Sequence, residues 1–173
     1  MQSMTKPKEL RFSDAGPIPN NPRLSALVYK NAVPLGDDPP ADMESTFCEN
    51  GWPPQWRYGI YPFHHYHSTA HEALGVVRGH AKVRLGGESG ETLEFTPGDI
   101  VVLPAGTGHR CLESSADFLV VGAYPPGQEW DLIRADEPEK KTEAAKRIAN
   151  VPLPESDPVL GKDGPLMRLW SRD

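Results

Sequence analysis

The sequence predicts an all-β protein, a sandwich or barrel of short strands. Three observations predict it. Proline (19) and glycine (16) are abundant in a chain of 173 residues, which favours turns and short strands over long helices. Between residues 55 and 125 the apolar runs are brief and cut by Gly, Pro and Asp at close intervals. Within that stretch Ala81, Val83 and Leu85 alternate with Lys82 and Arg84, the period-two pattern of a strand buried on one face.

The elements follow in order. Leu10–Phe12 reads as a short strand. Pro17, Pro19, Asn20, Asn21 and Pro22 then force a turn-rich passage, and Leu24–Tyr29 is apolar enough for a second strand. Asp38-Pro39-Pro40 precedes a helix over Ala41–Glu49. Proline suits its first turn, Asn50-Gly51 stops it, and Met43, Phe47 and Cys48 form its buried stripe. Ala73–Arg78 is a strand ended by Gly79, and Ala81–Leu85 is the next, turned by Gly86-Gly87 and Ser89-Gly90. Thr92–Phe95 closes at Pro97-Gly98-Asp99. Ile100–Leu103 is apolar on both faces and so requires cover on both sides. Gly108–Leu112 and Phe118–Tyr124 complete the series. Beyond Pro125-Pro126-Gly127, Pro138–Ala149 reads as a short charged helix with Ala144, Ala145 and Ile148 as its apolar stripe. Leu166–Trp170 reads as a last strand or a clamp on the barrel. The expected organisation is one structural domain: an N-terminal arm over 1–54 packing on the barrel, a barrel core over 55–125, and a C-terminal arm with a short helix over 126–173. The opening Met1-Gln2-Ser3-Met4 is given no structural weight.

Composition narrows the function classes. The formal net charge is −6 and no block of Lys and Arg occurs, so neither a nucleic-acid nor an acidic membrane surface is expected. No stretch is apolar and long enough to span a bilayer, and no signal-type apolar segment follows Met1, so the expected compartment is the cytoplasm. Cys48 and Cys111 do not make a disulfide framework, nor do they have the spacing of a thiolate zinc site. They read as small, partly buried thiols.

The histidines are the chemical signal. Of six in the chain, four lie between His64 and His71. His65 and His67, two apart on a strand, point to one face and can reach one ion together. Glu72 opens the next strand after a short turn, and His109 follows the turn Gly106-Thr107-Gly108. Three neutral imidazoles and one carboxylate suit a divalent transition metal such as Zn, Ni, Fe or Mn. His71 competes with Glu72 for the fourth place. Neighbours on a strand face opposite ways, so only one of them binds. His64 is out of phase with His65 and is expected outside; His80 is expected in solvent. Glu113 shares phase with His109 and Cys111. It is the candidate catalytic acid/base, set against a solvated place on the barrel rim. Arg57, Tyr61, Phe63 and Cys111 are the candidate pocket residues, among aromatics that also include Trp52, Trp56, Tyr58 and Tyr66.

These residues carry a family resemblance. Gly59, His65-Tyr66-His67, Glu72 and Gly79 stand at the spacing of the first cupin motif. Gly98, Pro104, Gly106 and His109 fit the second, with Glu113 where that motif has Asn. The chain resembles the cupins. With Asn50-Gly51-Trp52-Pro53-Pro54-Gln55-Trp56 before the motifs and Gly122-Ala123-Tyr124-Pro125-Pro126-Gly127 after them, it is similar to the uncharacterised YjlB-like bacterial group. The resemblance implies a jelly-roll β-barrel with N- and C-terminal extensions and two short helices. It also implies a metal on His65, His67, Glu72 and His109, the motif spacing choosing Glu72 over His71, and pairing as a homodimer. It names no substrate. The expected function is a metalloenzyme acting on a small organic molecule, in the manner of a dioxygenase, decarboxylase or isomerase. The alternative is a non-catalytic binding or structural cupin with a bound metal.

Overall fold

A computed structural model describes residues 6–171. The sequence Met1-Gln2-Ser3-Met4 lies outside the described residues. Strands β1 (Lys8–Leu10), β2 (Ala26–Tyr29), β3 (Pro54–Tyr58), β4 (His65–Tyr66), β5 (Glu72–Arg78) and β6 (Ala81–Leu85) come first. They are followed by β7 (Glu91–Phe95), β8 (Ile100–Leu103), β9 (His109–Ser114), β10 (Leu119–Ala123) and β11 (Ile133–Arg134). The strands form two antiparallel sheets, in the orders β1-β2-β8-β5-β10-β3 and β11-β4-β9-β6-β7. Two packed antiparallel sheets of short strands are the jelly roll that the family resemblance implies.

Helix α1 spans Pro39–Glu49. Asp38 caps it by accepting from the Ala41 amide, and Met43 and Phe47 are its buried side chains. Cys48 is exposed, so the buried stripe stops short of it; Cys111 is buried. A 3₁₀ turn over Pro138–Lys140 leads into α2 (Lys141–Ala149), which buries Ala144 and Ile148 and leaves Ala145 outside. The segment expected as a last strand or clamp is a helix, α3 (Pro165–Leu169). Proline at its first position suits a helix start. Its end still clamps: Trp170 is buried and its indole N–H donates to the Ser25 carbonyl at 2.9 Å.

The core lies on both faces of the six-stranded sheet. Val101 and Leu103 of β8 join Leu74, Val76, Val83, Leu85 and Val120 between the sheets. Ile100 and Val102 join Met43, Phe47, Trp52, Ala73 and Val77 beneath α1 and α3. This two-sided cover explains why Ile100–Leu103 is apolar throughout. It also fixes the phase of β5. Leu74 and Val76 look between the sheets and Ala73 and Val77 look away, so Glu72 faces the interior.

Candidate metal centre

The centre sits where β4, β5 and β9 meet. His65 of β4 is the register partner of His109 of β9, and their ring centroids are 4.0 Å apart. The strand alternation turns Tyr66 outward into a cluster with Ile133 and Ile148 and returns His67 to the interior. The Gly106 amide donates to the His67 carbonyl at 2.8 Å. Gly106 holds this turn at φ +95°, where an added Cβ would meet the Asn20 carbonyl oxygen at 2.7 Å, so glycine is required there.

One ring nitrogen from each of His65, His67 and His109 lies within 4.8 Å of the others, and all three residues are buried. Each Nδ1 meets a backbone carbonyl: His65 that of Phe63 (2.9 Å), His109 that of Thr107 (3.1 Å), and His67 that of Asp131. A carbonyl only accepts, so each Nδ1 carries the proton. In the neutral rings each Nε2 is then left with a lone pair. Glu72 stands between two of these nitrogens, with Oε2 3.2 Å from His67 Nε2 and Oε1 3.2 Å from His109 Nε2. Its Oε2 accepts from the Tyr124 hydroxyl at 2.6 Å, while the buried Oε1 has no hydrogen-bond partner. Lone pairs facing a carboxylate repel unless a proton or a cation lies among them. The donor set therefore fits a divalent ion: three oriented imidazoles, one carboxylate and an orphaned carboxylate oxygen.

The imidazoles and the carboxylate also shift one another. Burial, aided by His109, pushes His65 down to about 2. Burial also pulls on His67, but the Glu72 carboxylate outweighs it and holds His67 above its ordinary value. Burial would raise Glu72, yet His67 and His109 hold it well below the usual carboxylate range. Burial and the Glu72 charge raise the Tyr124 phenol, so it stays a donor.

The centre forms the floor of a cavity of about 330 Å³, whose walls include Trp56, Ile60, Tyr61, Leu74, Tyr124 and Trp130. Trp56 donates to the Tyr124 hydroxyl at 2.8 Å, and Trp130 stacks on the Tyr124 ring at 4.3 Å and 6°. Gly122 makes room for this wall, since a Cβ there would lie 2.2 Å from the Trp56 ring.

The comparisons agree with this architecture. The family model for the cupin domain matches residues 57–122. The uncharacterized protein YjlB of Bacillus subtilis (strain 168) is 43% identical over 159 residues, 92% of this chain and 93% of its own length. The chain is a cupin of the YjlB-like group. Among solved structures, a DUF861 family protein from Thermotoga maritima is 23% identical, covers 52% of this cupin and 96% of its own chain, and has a TM-score of 0.32. The oxalate decarboxylase of Lactobacillus farciminis in its formate complex is 17% identical, covers 86% of this cupin and 42% of its own chain, and has a TM-score of 0.32. Likeness at that level says nothing about what this cupin binds.

The structure distributes the sequence candidates unevenly. His65, His67, Glu72 and His109 come together. His71 is buried on the opposite side of β5, where its Nδ1 accepts from the Ala105 amide at 2.9 Å and its ring lies 5.0 Å from Trp170. His64 points away from the centre but is buried there, 2.9 Å from the Glu88 carboxylate; His80 is exposed. Tyr61 and Arg57 border the cavity, with the Arg57 guanidinium engaged by both Glu44 oxygens at 2.7 and 2.8 Å. Phe63 lies outside the cavity lining, stacked on Tyr61 with the Arg134 guanidinium 3.8 Å above its ring. Cys111 packs between the sheets, also outside the lining. Glu113 is on the outer surface, with 62% of its side chain exposed and Lys82 4.0 Å away. The reason is a register shift. Val83 pairs with Cys111 but Lys82 pairs with Glu113, so Leu112 is the extra residue of a bulge and the phase from His109 is broken.

Three contributors went unread in the sequence: Tyr124, Trp130 and Asp131. Tyr124 was within reach, since it shares strand phase with Val120 and Gly122. Trp130 and Asp131 lie in the loop between β10 and β11, where no period assigns a direction. The Asp131 carboxylate accepts from the Ser68 amide at 2.6 Å and from the Ser68 hydroxyl, and Arg147 of α2 donates to that hydroxyl at 2.9 Å. The loop that holds His67 is thereby tied to α2.

Proposed function

We propose that this cupin binds one divalent transition ion on His65, His67 and His109, with Glu72 as fourth donor, and acts on a small organic molecule held above it. The observation that carries the reading is the commitment of all three Nδ1 protons to backbone carbonyls, which leaves three Nε2 lone pairs for one ion, two of them 3.2 Å from a buried carboxylate. When bound, the ion supplies Lewis acidity toward an oxygen of the ligand. The chain's own residues do the rest. Tyr124 orients Glu72, Asp131 fixes the tautomer of His67, and Trp56 and Trp130 keep water from the walls. A cavity of about 330 Å³ sits at the small end of ligand pockets. Four protein donors leave positions open on an ion that takes five or six, which favours an enzyme of the dioxygenase, decarboxylase or isomerase type.

A binding module is the second reading. It is favoured by one observation: the cavity lining has no carboxylate besides Glu72 to move protons. Titration of Zn(II), Mn(II) and Fe(II) into metal-stripped protein tests the shared core of both readings. One ion per chain is expected, with binding weakened at least tenfold by His65→Ala, His67→Ala or His109→Ala. Undiminished binding in all three variants would place the ion elsewhere.

A further inference from the structure

We infer that the cavity takes a monoanion with a flat aromatic body, its acidic head at the floor and its ring against the Trp130–Tyr124 wall. The inference deepens the metal reading above and rests on it. Charge sets the head. A divalent ion with Glu72 leaves one net positive charge at a buried floor, and a single carboxylate, phenolate or enolate neutralises it. A dianion would leave an excess negative charge there. The rest of the lining offers no free cation to balance it, because Arg57, the one Lys or Arg in the lining, is held in a two-point ion pair by Glu44 of α1.

Chemistry of the walls sets the body. Above the floor the lining includes Trp56, Ile60, Tyr61, Leu74, Tyr124 and Trp130. The two inner donors are already spent: the Trp56 N–H on Tyr124, and the Tyr124 hydroxyl on Glu72. The inner walls of Trp56, Ile60, Leu74 and Tyr124 therefore present ring and aliphatic surface, while Tyr58 and Tyr61 are 60% and 38% exposed. Trp130 is 40% exposed although it stacks on Tyr124, so ring surface remains open to a planar ligand. A polyhydroxylated body such as a sugar would find few partners for its hydroxyls along these inner walls.

Four probes separate charge from shape: benzoate, phthalate, acetate and oxalate, titrated into the Zn(II)-loaded full chain. Calorimetry and tryptophan fluorescence read binding, and zinc content is measured after each titration. Benzoate should bind at least tenfold more tightly than acetate and than phthalate, with oxalate no tighter than acetate. Trp130→Ala should cost benzoate at least tenfold and leave acetate within twofold. Arg57→Gln should leave benzoate within threefold. Oxalate or phthalate binding as tightly as benzoate, with zinc retained, overturns the substrate class and leaves the metal centre standing. Loss of benzoate binding in Arg57→Gln overturns the placement of the head. Failure of the chain to hold zinc at all overturns the metal reading itself.

Discussion

Replacing Glu72 with Gln separates the metal centre from the fold. The change keeps shape and leaves an amide oxygen to accept from Tyr124, now 2.6 Å from Oε2. It removes the charge that lies 3.2 Å from both His67 and His109. Metal affinity should fall by about 10–100-fold, the scale for disrupted ligand spheres. Because the ion stabilises the native state by mass action, a 100-fold loss removes about 2.7 kcal/mol of metal-induced stabilisation at saturating metal. In a domain of this size that is about 5–11 °C of Tm. Metal-free stability should fall, since His67 and His109 hold Glu72 ionised and removing one partner of a buried pair is destabilising. His71→Ala provides the contrast. It leaves the Ala105 N–H without its acceptor and removes a ring from Trp170, costing about 1–3 kcal/mol of stability from the lost hydrogen bond alone. Metal affinity should stay within a few-fold. Calorimetry and thermal melts of both variants, stripped and loaded, read all four numbers. Loss of metal in His71→Ala with retention in Glu72→Gln would refute the assignment of the carboxylate.

Further outcomes follow from the same geometry. Tyr124→Phe strips Glu72 of the hydroxyl that donates to it and Trp56 of its acceptor, and should weaken metal binding by severalfold, read by titration against a chromophoric chelator. Asp131→Ala frees the loop that holds the His67 Nδ1 proton and should cost metal affinity about tenfold or more, with the His67 ring losing its fixed tautomer in ¹⁵N spectra. Burial lowers His71 to about 4 from 6.5, so the unfolded chain binds that proton first and stability falls as pH drops from 6.5 toward 4. In metal-free His71→Gln that fall should be shallower by up to about 1.4 kcal/mol per pH unit, measured by urea unfolding at several pH values. Pairing as a homodimer remains a proposal from the family resemblance; the exposed Tyr58 and Leu132 give it an apolar surface to bury. Light scattering at micromolar concentration should give twice the 19.0 kDa chain mass, and a monomeric mass would count against it.

The strands were legible where one face or both faces repeat cleanly. Ala81–Leu85 and Ile100–Leu103 are found at the bounds their patterns give, because alternation and two-sided burial are direct imprints of the sheet. The candidate metal site was legible because His65 and His67 share a strand face and His109 stands opposite in register. Glu72 could not be placed by period alone, since Ala73 and Val77 are as apolar as Leu74 and Val76; the motif spacing chose it, and the sheet shows that Leu74 and Val76 share its inward face. Glu113 stayed open between the interior and the rim because strand phase assumes a regular strand; the bulge at Leu112, which leaves no mark in the sequence, puts it outside. Leu166–Trp170 clamps as one of its two readings had it, but as a helix, which five residues are too few to show as a period. Asp131 acts through its backbone carbonyl, a contribution that residue type does not encode.

The central claim is that this chain binds one divalent transition ion on His65, His67, Glu72 and His109, and metal analysis tests it most directly. The full chain, purified without a nickel-binding tag and dialysed against trace Zn, Mn, Fe and Ni, should carry close to one equivalent of a divalent transition metal. His65→Ala/His109→Ala, which removes two donors paired across β4 and β9, should carry less than a tenth of that while keeping a β-rich circular dichroism spectrum. A wild-type chain free of metal after that treatment, or a double variant that still holds a full equivalent, would contradict the account.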